Sequence, residues 1–84
     1  MGIVPGSIVK AIAGRDSGKF FMVMKVDGTE AFIVDGKTRK LEKPKKKKLK
    51  HLSKTNNQIP VEEATTNNKI RKMICETTKQ IPVT

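Results

Sequence analysis

Two Asp-Gly dipeptides, Asp27-Gly28 and Asp35-Gly36, bracket the apolar run Ala31-Phe32-Ile33-Val34 and limit how long any strand around them can be. Dipeptides of this kind tolerate positive φ and favour tight hairpins. The apolar run over residues 20–26 therefore turns back at Asp27-Gly28 into a strand over residues 31–34, and Asp35-Gly36 offers a second turn of the same chemistry. Upstream, Ser7-Ile8-Val9-Lys10-Ala11-Ile12-Ala13 is rich in β-branched residues between Gly6 and Gly14 and reads as a strand buried on both faces. Period-two alternation sets Phe20, Met22, Met24 and Val26 on one face of the second strand and Phe21, Val23 and Lys25 on the other. Phe20 and Phe32 are expected to pack in the core.

Charge divides the chain a second way. Residues 1–36 carry four basic and four acidic side chains and sum to zero, whereas residues 37–54 carry ten basic residues against Glu42 alone, for +9. Nearly all of the net +10 sits in that one segment. A chain of 84 residues buries only about 60% of its unfolded surface, so it builds one small core and no deep pocket. Such density of positive charge on a small domain points to a polyanionic partner.

After Gly36 the apolar pattern fades into Lys37-Thr38-Arg39-Lys40-Leu41-Glu42-Lys43-Pro44, an edge strand or extended loop that Pro44 interrupts. Lys45, Lys46, Lys47 and Lys48 follow, with Leu49 and Leu52 placed to anchor them to the body of the domain. Residues 53–58 are polar and turn-like, and Ile59-Pro60-Val61 reads as one more extended piece. Ile70, Met73, Ile74 and Thr77 recur at i, i+3, i+4 and i+7, which predicts a helix over residues 66–79. Thr66 or Asn67 would cap its start, and Pro82 disfavours helix at Ile81.

The stretch from Gly6 to Gly36, carried by Ser7 through Lys19 with Val23 and Val26, resembles a KOW motif, with Gly18 at the glycine such motifs share. More narrowly, Val34-Asp35-Gly36, Lys43-Pro44 with its lysine run and Leu49-Lys50-His51-Leu52 resemble the archaeal and eukaryotic large-subunit ribosomal KOW protein of the fourteen-e family and its small bacterial relatives. The resemblance implies a mostly β fold, an SH3-like (KOW) β-barrel over residues 1–61 that includes the basic segment 37–54. A short C-terminal α-helix in an extension over residues 62–84 would pack on the barrel. It also implies binding of ribosomal RNA through the glycine-rich loop and the basic segment.

The candidate contacts are Arg15, Lys19, Lys37, Arg39, Lys40, Lys43, Lys45, Lys46, Lys47, Lys48, Lys50 and His51, with Gly14 and Gly18 shaping the loop. Each lysine or arginine that neutralises a phosphate releases condensed counterions and raises affinity without any sequence code. In the loop, exposed amides beside Arg15 and Lys19 would add to these contacts.

Other chemistries fit poorly. Gly14-Arg15-Asp16-Ser17-Gly18-Lys19 has three residues between its glycines and Phe20 after its lysine, where a nucleotide-binding phosphate loop has four and a Ser or Thr. Without Trp or Tyr, and with only three Phe, the chain has few platforms for stacking bases or caging methyl-lysine. His51 and Cys75 each stand alone, and Glu62 and Glu63 lack a partner for acid-base work, so no enzymatic activity, cofactor or metal site is expected. Cys75 reads as a partly buried small hydrophobe.

The expected partner is RNA, large-subunit ribosomal RNA foremost, with neighbouring ribosomal proteins beside it and no membrane. A cytoplasmic, ribosome-associated monomer is expected, since no apolar run approaches a membrane span and no signal-peptide pattern is present. The alternative is a transcription-associated KOW module that docks on polymerase or another protein.

Overall fold

A computed structural model describes residues 2–79. Its five strands are β1 (Ser7–Ala11), β2 (Phe20–Asp27), β3 (Glu30–Val34), β4 (Lys45–Lys48) and β5 (Leu52–Gln58), followed by one helix, α1 (Asn67–Lys79). They form a single antiparallel sheet in the order β4-β3-β2-β1-β5, a layout compatible with a small barrel. A 3-10 turn, Leu49–His51, joins one sheet edge to the other, and a second, Val61–Glu63, leads into α1. Ile81 and Pro82, expected to end the helix, lie outside the described residues.

The β2–β3 hairpin forms where the Asp-Gly signal places it. Asp27 and Glu30 are paired, and Gly28 takes φ 63 while Thr29 stays at negative φ, as in a type II′ turn with glycine first. One correction follows from the register. Val23 pairs with Ile33 but Lys25 pairs with Phe32, so Met24 is an extra, bulged residue. A bulge reverses which side chains share a face beyond it. Val26 accordingly packs with Phe21 and Val23 rather than with Phe20 and Met22, and Lys25 moves to the side of Phe32.

Both faces of the sheet are coated. Val9, Ala11, Phe21, Val23, Ala31, Ile33 and Leu52 form one buried cluster; Ile8, Met22, Val34, Ile59 and Ala64 form the other, completed by Ile70 and Ile74 from the apolar stripe of α1. Among the phenylalanines it is Phe21 that is wholly buried, while Phe20 and Phe32 are only half-buried, contrary to the expectation that those two fill the core. Cys75 is likewise exposed rather than partly buried, since it falls off the helix face that meets the sheet.

Residues 53–58, expected to be turn-like, form β5 and pair with β1. Their pairing is irregular between Ser7 and Val9, and there the Thr55 hydroxyl donates to the Ile8 carbonyl at 2.7 Å in place of a ladder bond. Ile59 is buried, but Val61 begins a 3-10 turn instead of extending the chain. Leu49 and Leu52 do hold the lysine run to the body: Leu52 is buried, Leu49 packs beside it, and the Leu49 amide donates to the Thr29 carbonyl at 2.9 Å.

The start of α1 fixes the basic segment. Thr66 is the cap, its hydroxyl accepting from the Lys69 amide at 3.1 Å. Asn67 turns its side chain outward instead: Oδ1 accepts from the Leu41 amide and Nδ2 donates to Glu42 Oε1, each at 2.8 Å. That side-chain bond, then the Glu42 backbone and the charge of Lys40, hold the Glu42 carboxyl below its ordinary value of 4.5. A carboxylate whose pKa is lowered by folding stabilises the fold above its unfolded pKa, and the contribution fades as pH falls through the folded value. Glu42→Gln, which accepts the same bond at every pH, is expected to show a shallower loss of Tm below pH 4.5 than the native chain. Identical Tm profiles would mean the Asn67 contact carries no linkage.

Candidate nucleic-acid interface

The glycine-rich loop between β1 and β2 is closed by its own backbone. Gly14 and Gly18 take φ 81 and 90, as expected of the two loop glycines. The amides of Ser17, Gly18 and Lys19, however, donate to the carbonyls of Gly14, Ala11 and Asp16 at 3.2, 2.8 and 3.0 Å. Those three N–H groups are spent inside the loop, beside the exposed side chains of Arg15 and Lys19.

Two bonds tie this loop to the basic segment. Arg39 Nη2 donates to Asp16 Oδ2 at 3.1 Å, with the Asp16 side chain only 6% exposed. Breaking such a pair leaves a charge buried without compensation, which outweighs the modest value of making it. Lys47 Nζ donates to the Ala13 carbonyl at 2.8 Å, and a Cβ at Gly14 would stand 3.0 Å from that ammonium, so Gly14 leaves the space the lysine uses. Arg39 and Lys47 are therefore struts as much as contacts.

The lysine run itself is an edge strand, paired Lys45 to Ile33, Lys46 to Phe32, Lys47 to Ala31 and Lys48 to Glu30. Alternation puts Lys46 and Lys48 on the side of Phe32 and Glu30, and Lys45 and Lys47 on the other. Lys46 Nζ lies 3.2 Å from Glu30 Oε1 and 5.8 Å from the centroid of Phe32, over which Lys25 also stands at 6.0 Å. Phe32 thus props up cations at the surface. A row of lysines on a sheet edge also repels further strand pairing.

Nine of the twelve predicted contacts line three grooves; Arg15, Lys47 and His51 line none of them. Arg39, Lys40, Lys43, Lys45 and Lys46 line one groove of about 550 Å³ with Thr38 and Pro44. Lys48 and Lys50 flank a second, of about 460 Å³, at the 3-10 turn. Lys19 and Lys37 meet under the helix, where Arg71 joins them. His51 is half-buried in the 3-10 turn, and its carbonyl accepts from the Ile12 amide at 2.9 Å. Arg71 was not among the sequence candidates, because nothing in the helical period says which loop its polar side faces.

Among the described residues only two ion pairs form, Arg39 with Asp16 and Lys46 with Glu30. Arg15, Lys19, Lys37, Lys40, Lys43, Lys45, Lys48 and Lys50 are exposed and have no described carboxylate within 4.0 Å. Comparison of the sequence with protein-family models and with curated proteins returned no match.

Proposed function

We propose that this protein is a non-catalytic RNA-binding protein, ribosomal or ribosome-associated, that holds structured ribosomal RNA by its phosphates from an SH3-like barrel of the KOW type. The observation that carries the reading is the basic segment itself: a lysine strand laddered to β3, with Lys43, Lys45, Lys48 and Lys50 exposed and without described acidic partners. Like charges held this close repel one another, and a polyanion relieves that repulsion while releasing counterions. The strand order, with a 3-10 turn between β4 and β5, supports the barrel reading. Lysine suits the task as a flexible point charge that follows phosphates rather than bases.

The test is co-sedimentation with large ribosomal subunits. The protein is expected in the pellet at 50 mM salt and in the supernatant at 200 mM, since six to ten phosphate contacts lose about 10³- to 10⁵-fold in affinity across that range. Protein that stays ribosome-free at low salt, or binding that ignores salt, would overturn the proposal.

A further inference from the structure

The cleft between the sheet and α1 differs from the lysine grooves because it combines cations with an apolar wall. Lys19 comes to it from the end of the β1–β2 loop, Lys37 from the β3–β4 loop and Arg71 from α1; Phe20 and Ile74 supply the wall. The three cations are exposed, and none has a described carboxylate within 4.0 Å. Asp35 also lines the cleft, but its Oδ1 accepts from the amides of Lys37 and Arg39 at 2.9 and 2.8 Å, so that oxygen serves the loop. Lys10, which does not line the cleft, holds its ammonium 5.8 Å from the Phe20 ring centroid. The cavity, about 370 Å³, falls within the size range of small-ligand sites.

A paired duplex does not exploit such a place, because its bases are stacked inward and only its phosphates reach the rim. An unstacked nucleotide does: its phosphate sits among the cations while its base lies against the aromatic wall. We propose that this cleft captures one unstacked nucleotide, from a bulge or loop of the RNA bound by the lysine segment. The inference rests on the RNA-binding reading and gives α1 a part in recognition, since the helix contributes Arg71 and Ile74. Stacking accepts any base, so the cleft selects for a flipped-out nucleotide rather than for a sequence.

Cys75 lines the same cleft, is exposed and is the chain's only cysteine, which makes its thiol a built-in reporter. Two RNA hairpins are compared, one perfectly paired and one with a single-nucleotide bulge. The bulged hairpin is expected to bind about 5- to 150-fold tighter, the range of one base-aromatic stack, and to slow maleimide alkylation of Cys75. The paired hairpin is expected to leave alkylation unchanged. Phe20→Leu should bring the affinity ratio toward one; Arg71→Gln, a surface change that keeps the wall intact, should do the same and secures the test if the first variant folds poorly. Equal binding of both hairpins with an unprotected Cys75 overturns the nucleotide cleft and leaves RNA binding standing. Binding of neither hairpin at 50 mM salt overturns both. Protection of Cys75 by polyglutamate but not by the bulged hairpin would assign the cleft to an acidic peptide and overturn the proposal.

Discussion

Replacing Lys43, Lys45, Lys48 and Lys50 together by glutamine is expected to lower RNA affinity by about 10²- to 10³-fold at 0.1 M salt. The choice of four follows from the structure. All are exposed with no described acidic partner, whereas Lys46 is paired with Glu30 and Lys47 holds the Ala13 carbonyl. Removing either of the latter would mix a folding effect with a binding effect. Each phosphate-neutralising lysine contributes nearly one unit to the slope of log affinity against log salt, so the slope should fall by about 3 to 4. Surface substitutions away from buried contacts usually change stability by less than about 0.5 kcal/mol, so the melting curve serves as the control. An affinity loss below threefold with an unchanged slope would move the interface away from this strand. Under the ribosomal reading this variant loses ribosome association, whereas RNA polymerase association that persists in it would favour a transcription-associated role.

How much of this was legible in the sequence depends on how far apart the partners lie. β1, β2 and β3 announce themselves because apolar side chains alternate between glycine turns, and both signals are local. The stripe of α1 is local too: Ile70 and Ile74 are buried, and Met73 and Thr77 half-buried, as the period requires. β5 escaped because Ser53, Lys54, Asn56 and Gln58 are exposed and the strand between them has no apolar face to fix its period. Only its pairing with β1, more than forty positions earlier, makes it a strand.

The same distance hides contacts of the basic residues that no local pattern carries. Asp16 looks like one more polar loop residue until Arg39 arrives from 23 positions away and makes it the lock between two basic elements. Three of the loop amides, those of Ser17, Gly18 and Lys19, are spent on bonds that depend on how Gly14 and Gly18 turn the chain, which no local pattern announces. Arithmetic on charge found the basic segment; it could not separate lysines that hold the fold from lysines left to hold a ligand. The Met24 bulge had no signal in alternation, yet it sends Lys25 to Phe32, where an aromatic ring expected in the core supports a cluster of ammonium groups.

Gly36→Ala is expected to cost about 2 to 5 kcal/mol, a large share of the roughly 5 to 15 kcal/mol that holds a typical domain together. Two terms add. Gly36 takes φ 77, a left-handed conformation that costs an ordinary residue about 1 to 2 kcal/mol. A Cβ there would also overlap the Asn67 carbonyl oxygen and lie 2.8 Å from Arg71 Cγ, so α1 must shift, and overpacking of this kind costs about 1 to 3 kcal/mol more. Gly18→Ala separates them, because Gly18 takes φ 90 with nothing within 4 Å of the added carbon and so incurs the conformational term alone. At about 4 to 8 °C per kcal/mol for a domain this small, Tm should fall by roughly 10 to 30 °C for the first variant and by about half as much or less for the second. Equal losses would show that the turn, not the seat of the helix, is what Gly36 supplies. A larger loss at Gly36 would tie stability to the shape of the cleft: the close approach that only glycine allows there seats α1 against the turn, and displacing the helix would open the cleft that Lys37 and Arg71 line.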